Sequence, residues 1–404
     1  MQQNFTYPTS IINIELPHSK SILNRVLIIE SLLGNKLNLD IESECNDVRV
    51  LYQALQTKKE TINIEDAGTP YRFLMAYFAV MGLDKTLQAS SGLKKRPIRD
   101  LVKVLLENGC NVTYLENEGF PPISIVGLTN LKKEISIDPK LSSQFVSALM
   151  LVAPHQNKET TIILEKSPSS LPYIKLTANV MEYYGVKSNF HEDKISLKGN
   201  YSSKEKPYPL ESDWSASSYF YAFSVLTGVE IIFPNLSLDS SQGDKYVAEV
   251  FSSFGIRTTQ KEVNSVGISY NQEMYSPPTN IDLSNHPDLA PTLIVLVACL
   301  KANTTFTGLG NLKIKESDRV FALQTELKKV GVNLKEEDFV WRVTSENVEL
   351  QDIPTFNTHE DHRIAMSLSL LSVFGEIKIE NKEVVVKSFP YFWKELDKLD
   401  LEIE

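Results

Sequence analysis

Six segments of the chain share one pattern: small polar residues first, then a strongly apolar run of helical length. They read SILNRVLIIESLLG, TPYRFLMAYFAVMG, SSQFVSALMLVAP, SASSYFYAFSVLTG, DLAPTLIVLVACL and DHRIAMSLSLLSVFG. Their first residues are Ser21, Thr69, Ser142, Ser215, Asp288 and Asp361, so the first step is 48 residues and the other four are 73 each. Recurrence at a fixed period marks a repeated supersecondary unit. A helix that is apolar all round belongs inside a structure, so all six are expected in a core.

After each apolar run comes a short stretch rich in β-branched residues: KLNLDIE, KTLQAS, ETTIILE, VEIIFP, TTFTGL and EIKIE. Each predicts a strand. A second helix follows, amphipathic and therefore peripheral. In four copies it ends at Gly109, Gly185, Gly255 or Gly331, where freedom to turn left-handed closes a helix. Paired strands such as VKSNFHEDKISLKG come next. The predicted unit is β-α-β-α-β-β, in six copies with the first one short, and the fold class is α/β. Gly199–Pro209 (GNYSSKEKPYP) is polar, carries two prolines and falls between the third and fourth copies. It reads as a linker, with an earlier hinge near Pro17. Two lobes are expected: residues 18–209, and residues 1–17 with 210–404.

The length of 404 residues suits two or three domains. With 42% hydrophobic and 23% charged residues the composition is that of a soluble globular protein. Lys and Arg number 41 against 51 Asp and Glu, a net charge of −10. That excludes nucleic acid and anionic membranes as partners, but not a locally basic pocket. Cys45, Cys110 and Cys299 are too scattered for a disulfide framework or a CxxC site, which fits a reducing cytoplasm. MQQNFTYPTS has no targeting character. The longest apolar stretch, Leu289–Leu300, contains Pro291 and is too short to span a bilayer.

Candidate chemistry gathers at the helix starts, which attract anions. Lys20, Ser21, Asn24 and Arg25 share one polar face. A solvated first turn would explain them, yet two cations there oppose the helix dipole. Ala67-Gly68-Thr69-Pro70 reads as a turn and cap, with Arg72 just inside the helix and Arg96-Pro97 before the next. Leu141-Ser142-Ser143-Gln144 and Pro168-Ser169-Ser170 offer hydroxyls and an amide, as caps or as specificity groups. In NLKIKESDR (Asn311–Arg319), Lys315, Glu316, Asp318 and Arg319 alternate in sign, which also suits a salt-bridged surface. His359 and His362 are three apart without a third ligand, and no metal is expected. His286 beside Pro287-Asp288 is equally unspecific.

Lys20, Arg25, Arg72, Arg96, Lys315, Arg319, Arg363 and Lys387 make eight cations at helix starts or their approaches. Arg and Lys recognise carboxylate and phosphate, so the implied ligands are small and multiply anionic. Asp288 and Glu316 stand among them as candidates to move a proton. Neither a Walker loop nor a GxGxxG turn occurs here, so no nucleotide is indicated.

Taken in order, ELPHSKSILNR, DAGTPYR, KKRPIRDL, LSSQFVSALM, SSLPYI, SDWSASSYF, SNHPDLAPT, IKESDR, EDHRIAM and KSFP resemble the motifs of the EPSP synthase family, the 3-phosphoshikimate 1-carboxyvinyltransferases. The likeness runs from about Ile14 to Phe392. It implies an inside-out α/β barrel of two domains, each of three βαβαββ units with buried apolar helices, around a closing cleft. It implies enolpyruvyl transfer from phosphoenolpyruvate to shikimate 3-phosphate without metal or organic cofactor, by a cytoplasmic enzyme, expected to be a monomer. Ser21, Arg25, Ser142, Ser143, Ser170, Asn311 and Lys315 then resemble shikimate 3-phosphate contacts. Gly68, Arg96, Arg319, Arg363 and Lys387 resemble phosphoenolpyruvate contacts, and Lys20 and Gln144 touch both. Asp288 matches the family's base for the 5-hydroxyl, and Glu316 the group that protonates the enol methylene. Lys20 assists.

The likeness breaks at His18, which stands for the family's usual Gly, and at Asp66, which stands for Asn. Pro70, Tyr71 and Phe73 replace Ala, Met and Pro around Arg72. Asp66 is expected to weaken anion binding nearby unless Arg72 pairs with it. The related UDP-N-acetylglucosamine enolpyruvyltransferases carry a reactive loop cysteine that KKRPIRDL lacks. A silent anion-binding relative would not need Asp288, Glu316, Lys20 and Lys387, and a purely structural repeat would leave the eight cations unexplained.

Overall fold

The computed structural model describes residues 11–36, 39–127, 131–139, 142–168, 170–345, 348–350 and 352–404. Contacts divide the chain into a continuous unit, Lys20–Leu210, and a split unit formed by residues up to Ser19 with Glu211–Glu404. Each has its own apolar core.

The six apolar runs form the helices Lys20–Leu32, Gly68–Val80, Ser143–Gln156, Trp214–Thr227, Ala290–Leu300 and His362–Leu368. Burial follows their composition. In Gly68–Val80 every residue but Thr69 is buried, and in Ala290–Leu300 every residue but Leu300. The second helices are two-faced: Arg99–Glu107 buries Leu101, Val102, Val104 and Leu105 and leaves its charges outside. The glycines that follow, 109, 185, 255 and 331, all have positive φ, between +77° and +101°.

Among the described residues, four sheets have four strands each and one arrangement. In the continuous unit, Thr61–Asn63 runs parallel to Lys85–Gln88, which pairs antiparallel with Ile123–Val126, itself antiparallel to Asn111–Tyr114. Glu134–Ile137, Glu159–Leu164, Lys194–Lys198 and Lys187–Phe190 repeat that order. In the split unit, Asn280–Asp282, Thr305–Thr307, Val340–Ser345 and Val332–Glu337 do so again. The remaining sheet takes its first strand, Ile12–Asn13, from the start of the chain. It pairs in parallel with Ile231–Pro234, followed by Ser265–Tyr275 and Phe254–Glu262. Alternation places Ile62, Leu87, Ile123, Ile135 and Ile162 on buried faces.

Two copies depart from the predicted unit. Among the described residues of KLNLDIE there is no strand: Ile41–Ser43 is a single 3-10 turn, and Leu37 and Asn38 lie outside the described residues. In the last copy Thr355–Phe356 pairs with Lys378–Ile379, but no hairpin follows. A 3-10 turn at Lys382–Lys387 and the helix Phe392–Leu396 take its place. Strand propensity needs a partner edge to become a strand, and these short runs have little or none.

Phe220 shows how tightly the split unit is packed. It is fully buried, with the rings of Phe392, Phe389 and Phe223 at 5.8, 6.1 and 6.3 Å. Phe220→Ala should destabilise the protein by ~3–5 kcal/mol. Phe339, 85% exposed, should tolerate alanine within ~0.5 kcal/mol. Denaturant unfolding checks both, and equal effects would contradict this packing.

Candidate functional site

The polar face of the first helix is not solvated. Asn24 and Arg25 are buried, Arg25 at 2% exposure. Its side chain donates to Thr177 Oγ1 (2.8 Å), the Ser21 carbonyl (2.6 Å), the Tyr173 carbonyl (3.0 Å) and Ser147 Oγ (3.4 Å). Phe73 lies 5.5 Å from the guanidinium, so that departure from the family supplies a cation–π contact. All these partners are neutral, and no carboxylate among the described residues pairs with Arg25. Burial pulls its pKa from 12.5 to about 10. Lys20, the first residue of the same helix, lies 3.2 Å from Asp47 Oδ2.

Gly68 opens its helix because two guanidiniums need the space. A Cβ there would stand 2.3 Å from Arg96 Nη1 and 2.9 Å from Arg72 Nη1. Arg72 donates to the Gly68 carbonyl (2.8 Å) and the Pro97 carbonyl (3.3 Å), and it stacks on Phe145 at 5.7 Å. Asp66 accepts from the Ser90 hydroxyl and from the Leu93 N–H (3.2 Å).

Thr69 is not a cap, contrary to the expectation for this turn. Its hydroxyl accepts from Gln144 Nε2 at 2.8 Å. Gln144 Oε1 is buried without a partner among the described residues. Ser142 does cap its helix, accepting from the Gln144 N–H at 3.3 Å, and Ser143 is buried beside it. Ser170 precedes the helix Leu171–Tyr183 in left-handed backbone (φ +58°) without capping it. Strain of that kind concentrates at functional sites. Leu141 and Ser169, which open two of the motifs, lie outside the described residues.

In the split unit NLKIKESDR is surface only in part: Lys313 is exposed and pairs with Glu336, but Arg319 is 1% exposed. Its Nε meets Asp361 Oδ2 at 2.7 Å, its Nη2 meets Glu316 Oε2 at 2.9 Å, and its Nη1 meets Asp288 Oδ1 at 3.3 Å. Burial alone would lower its pKa, but the charges of Asp361, Glu316 and Asp288 overcome that and raise it. Asp288 Oδ2 binds Arg363 Nη2 at 2.6 Å, and Glu316 Oε1 lies 3.7 Å from Lys387 Nζ. Three cations and three carboxylates thus form one network. Asn311 and Lys315 are half-buried on the loop that leads into it.

His286, next to Pro287-Asp288, stacks on Tyr246 with ring centres 4.4 Å apart and lies 3.5 Å from Asp244. His359 bonds Glu326 at 2.9 Å. Among the described residues, no group of three His, Cys, Asp or Glu could hold a metal ion, and no helix is long and apolar enough to cross a membrane. Burial pushes the Cys45 thiol up to about 12 and Cys110 to about 11, far from an activated nucleophile.

Two residues escaped the sequence-based choice. Asp47 holds Lys20 but sits in an ordinary acidic first helical turn, which carries no signal. Asp361 holds Arg319 and accepts from the Arg363 N–H at 2.9 Å. Its signal was present, since it occupies the same repeat position as Asp288.

A family model described as EPSP synthase (3-phosphoshikimate 1-carboxyvinyltransferase) matches residues 8–396. The chain is 38% identical over 389 residues to a 3-phosphoshikimate 1-carboxyvinyltransferase of Bacteroides fragilis (strain YCH46), covering 95% of this chain and 94% of that protein. It is 31% identical to the protein of the same name from Escherichia coli (strain SMS-3-5 / SECEC), covering 96% of each. A solved EPSP synthase structure from Acinetobacter baumannii shares the fold. Its TM-score is 0.72 at 20% identity, over 98% of this chain and 97% of that one.

Gly68→Ala should displace Arg96 and Arg72 at an overpacking cost of ~1–3 kcal/mol. Affinity for a small dianion such as inorganic phosphate should then fall about tenfold or more. Calorimetric titration checks this, and unchanged binding would contradict the assignment of the two guanidiniums to an anion site.

Proposed function

The chain belongs to the EPSP synthase family, and from that premise we propose that it transfers the enolpyruvyl group of phosphoenolpyruvate to the 5-hydroxyl of shikimate 3-phosphate, releasing phosphate. The step lies in the shikimate pathway to aromatic amino acids. The observation that carries the proposal is the pair Asp288 and Glu316, held on separate arms of one buried guanidinium, Arg319.

Cationic neighbours favour the charged form of a carboxylate, which suits Asp288 to take the 5-hydroxyl proton as that oxygen bonds to C2 of phosphoenolpyruvate. C3 gains a proton in the same addition step, for which Glu316 is the proposed donor. Glu316 must carry that proton as a carboxylic acid when C3 receives it. In the elimination step C3 returns its proton to Glu316, the bond between C2 and the phosphate oxygen breaks, and inorganic phosphate leaves with the proton that Asp288 had taken. Each acid–base group is worth ~10²–10⁴ in rate.

The residue sets divide by charge environment. Arg25, with Ser21, Ser142, Ser143, Ser170, Asn311 and Lys315, is proposed to hold shikimate 3-phosphate. Arg25's lack of an internal counter-charge supports this assignment. Arg96, Arg319, Arg363 and Lys387, with Gly68, are proposed to hold phosphoenolpyruvate. Lys20 and Gln144 serve both substrates, and the vacant acceptor of Gln144 supports that role. The finer architecture of an inside-out barrel with three βαβαββ repeats per unit belongs to this proposal as well. Four complete repeats and six buried helices support it. A cytoplasmic, monomeric enzyme goes with it.

Phosphate release from phosphoenolpyruvate should require shikimate 3-phosphate. Asp288→Ala and Glu316→Gln should each lower kcat about 10²-fold or more, with circular dichroism unchanged. Release independent of shikimate 3-phosphate would sink the proposed activity, and wild-type turnover in either variant would sink the assigned role.

A further inference from the structure

Two consecutive residues, His359 and Glu360, hold left-handed backbone at φ +50° and +57°. Side chains with a Cβ keep that conformation only where the surroundings impose it. Here the loop is tied to Glu326, a buried carboxylate in the last turn of the helix Arg319–Lys328. Glu326 Oε1 bonds His359 Nε2 at 2.9 Å. Its Oε2 accepts from the Asn357 N–H at 2.9 Å and from Lys329 Nζ at 2.7 Å. Asn357 Oδ1 in turn accepts from the His359 N–H at 2.7 Å. Phe321 of the same helix meets the imidazole edge-on, with ring centres 6.2 Å apart.

That helix begins at Arg319, and the residue after the strained pair is Asp361, fully buried and 2.7 Å from Arg319 Nε. Helix and loop are therefore joined at three points: by Arg319 with Asp361, and by Glu326 with both the Asn357 N–H and the His359 ring. The bond to the His359 ring is not needed to neutralise Glu326, which already has Lys329 and the Asn357 N–H. What the imidazole adds is a constraint on the turn.

We propose that His359, through its bond to Glu326, is a positioning residue: it fixes the left-handed turn that sets Asp361, and so aims Arg319 and Arg363 at the anionic substrate. His359 touches no substrate itself. The inference deepens the proposed function and rests on it. With the backbone reversed just before it, the carboxylate of Asp361 holds Arg319 at Nε and accepts the Arg363 N–H. A turn free to relax to right-handed backbone would swing that carboxylate away.

The test separates the ring from the backbone. His359→Gly keeps left-handed φ without strain and removes only the imidazole. In steady-state assays of the full chain, its KM for phosphoenolpyruvate should rise about tenfold, with kcat and the KM for shikimate 3-phosphate within about twofold. His359→Gln, which still offers a side-chain N–H to Glu326, should recover most of that loss. Inorganic phosphate, titrated calorimetrically without turnover, should also bind His359→Gly about tenfold more weakly. Wild-type KM and phosphate affinity in His359→Gly would overturn the inference. So would a lowered melting temperature with both values unchanged, which would make the bond merely structural. A wild-type chain that releases no phosphate overturns the proposed activity instead, and the phosphate titration still decides the role of His359.

Discussion

A guanidinium taken out of water must be given back what hydration supplied, and how it is given back decides what the site can do. Arg319 and Arg25 are both buried, and they are stabilised in opposite ways. Arg319 is gripped by Asp361, Glu316 and Asp288, which come from three separate stretches of chain. Because one rigid fork must satisfy all three, it fixes the starts of the helices Ala290–Leu300, Arg319–Lys328 and His362–Leu368 against one another. Losing Arg319 would leave three carboxylates facing each other. Arg25 has only hydroxyls, carbonyls and an aromatic face. Its positive charge is held in place but not cancelled.

This contrast gives the proposed chemistry its division of labour. The Arg319 network carries equal numbers of cations and carboxylates, so it can exchange a proton or shift a hydrogen bond without a large charge imbalance. The Arg25 surroundings carry net positive charge in a place poor in water, where an anionic ligand gains most from Coulomb attraction. Arg96 and Arg72 crowd over Gly68 at another helix start, a place that favours an anion. The chain's net charge of −10 therefore describes its outer surface, while the buried cations describe its ligands.

Much of this was legible in the sequence, for physical reasons. The 73-residue period, the core helices and the left-handed glycines are local properties, set by side-chain chemistry along a few turns. The short first copy was legible from its 48-residue step, but the lack of a strand in the described part of KLNLDIE and of a hairpin after EIKIE was not, because strand formation there depends on a distant partner edge. Cations at helix starts could be read, but their burial could not. NLKIKESDR has the alternation of a solvated surface, and only tertiary packing shows that Arg319 lies inside. Thr69 looked like a cap because its neighbours fit one, yet Gln144, 75 residues on, takes its hydroxyl. Phe73 departs from the family at a position whose partner the sequence does not show, and its ring is a face for Arg25.

On the proposed function, the uncancelled charge of Arg25 is reserved for shikimate 3-phosphate, while the paired cations around Arg319 are not. Calorimetric titration of shikimate 3-phosphate in the absence of phosphoenolpyruvate tests it most directly. Binding should weaken about a hundredfold in Arg25→Met and stay within about threefold of wild type in Lys387→Met. Equal losses in the two variants, or undiminished binding in Arg25→Met, would contradict the account.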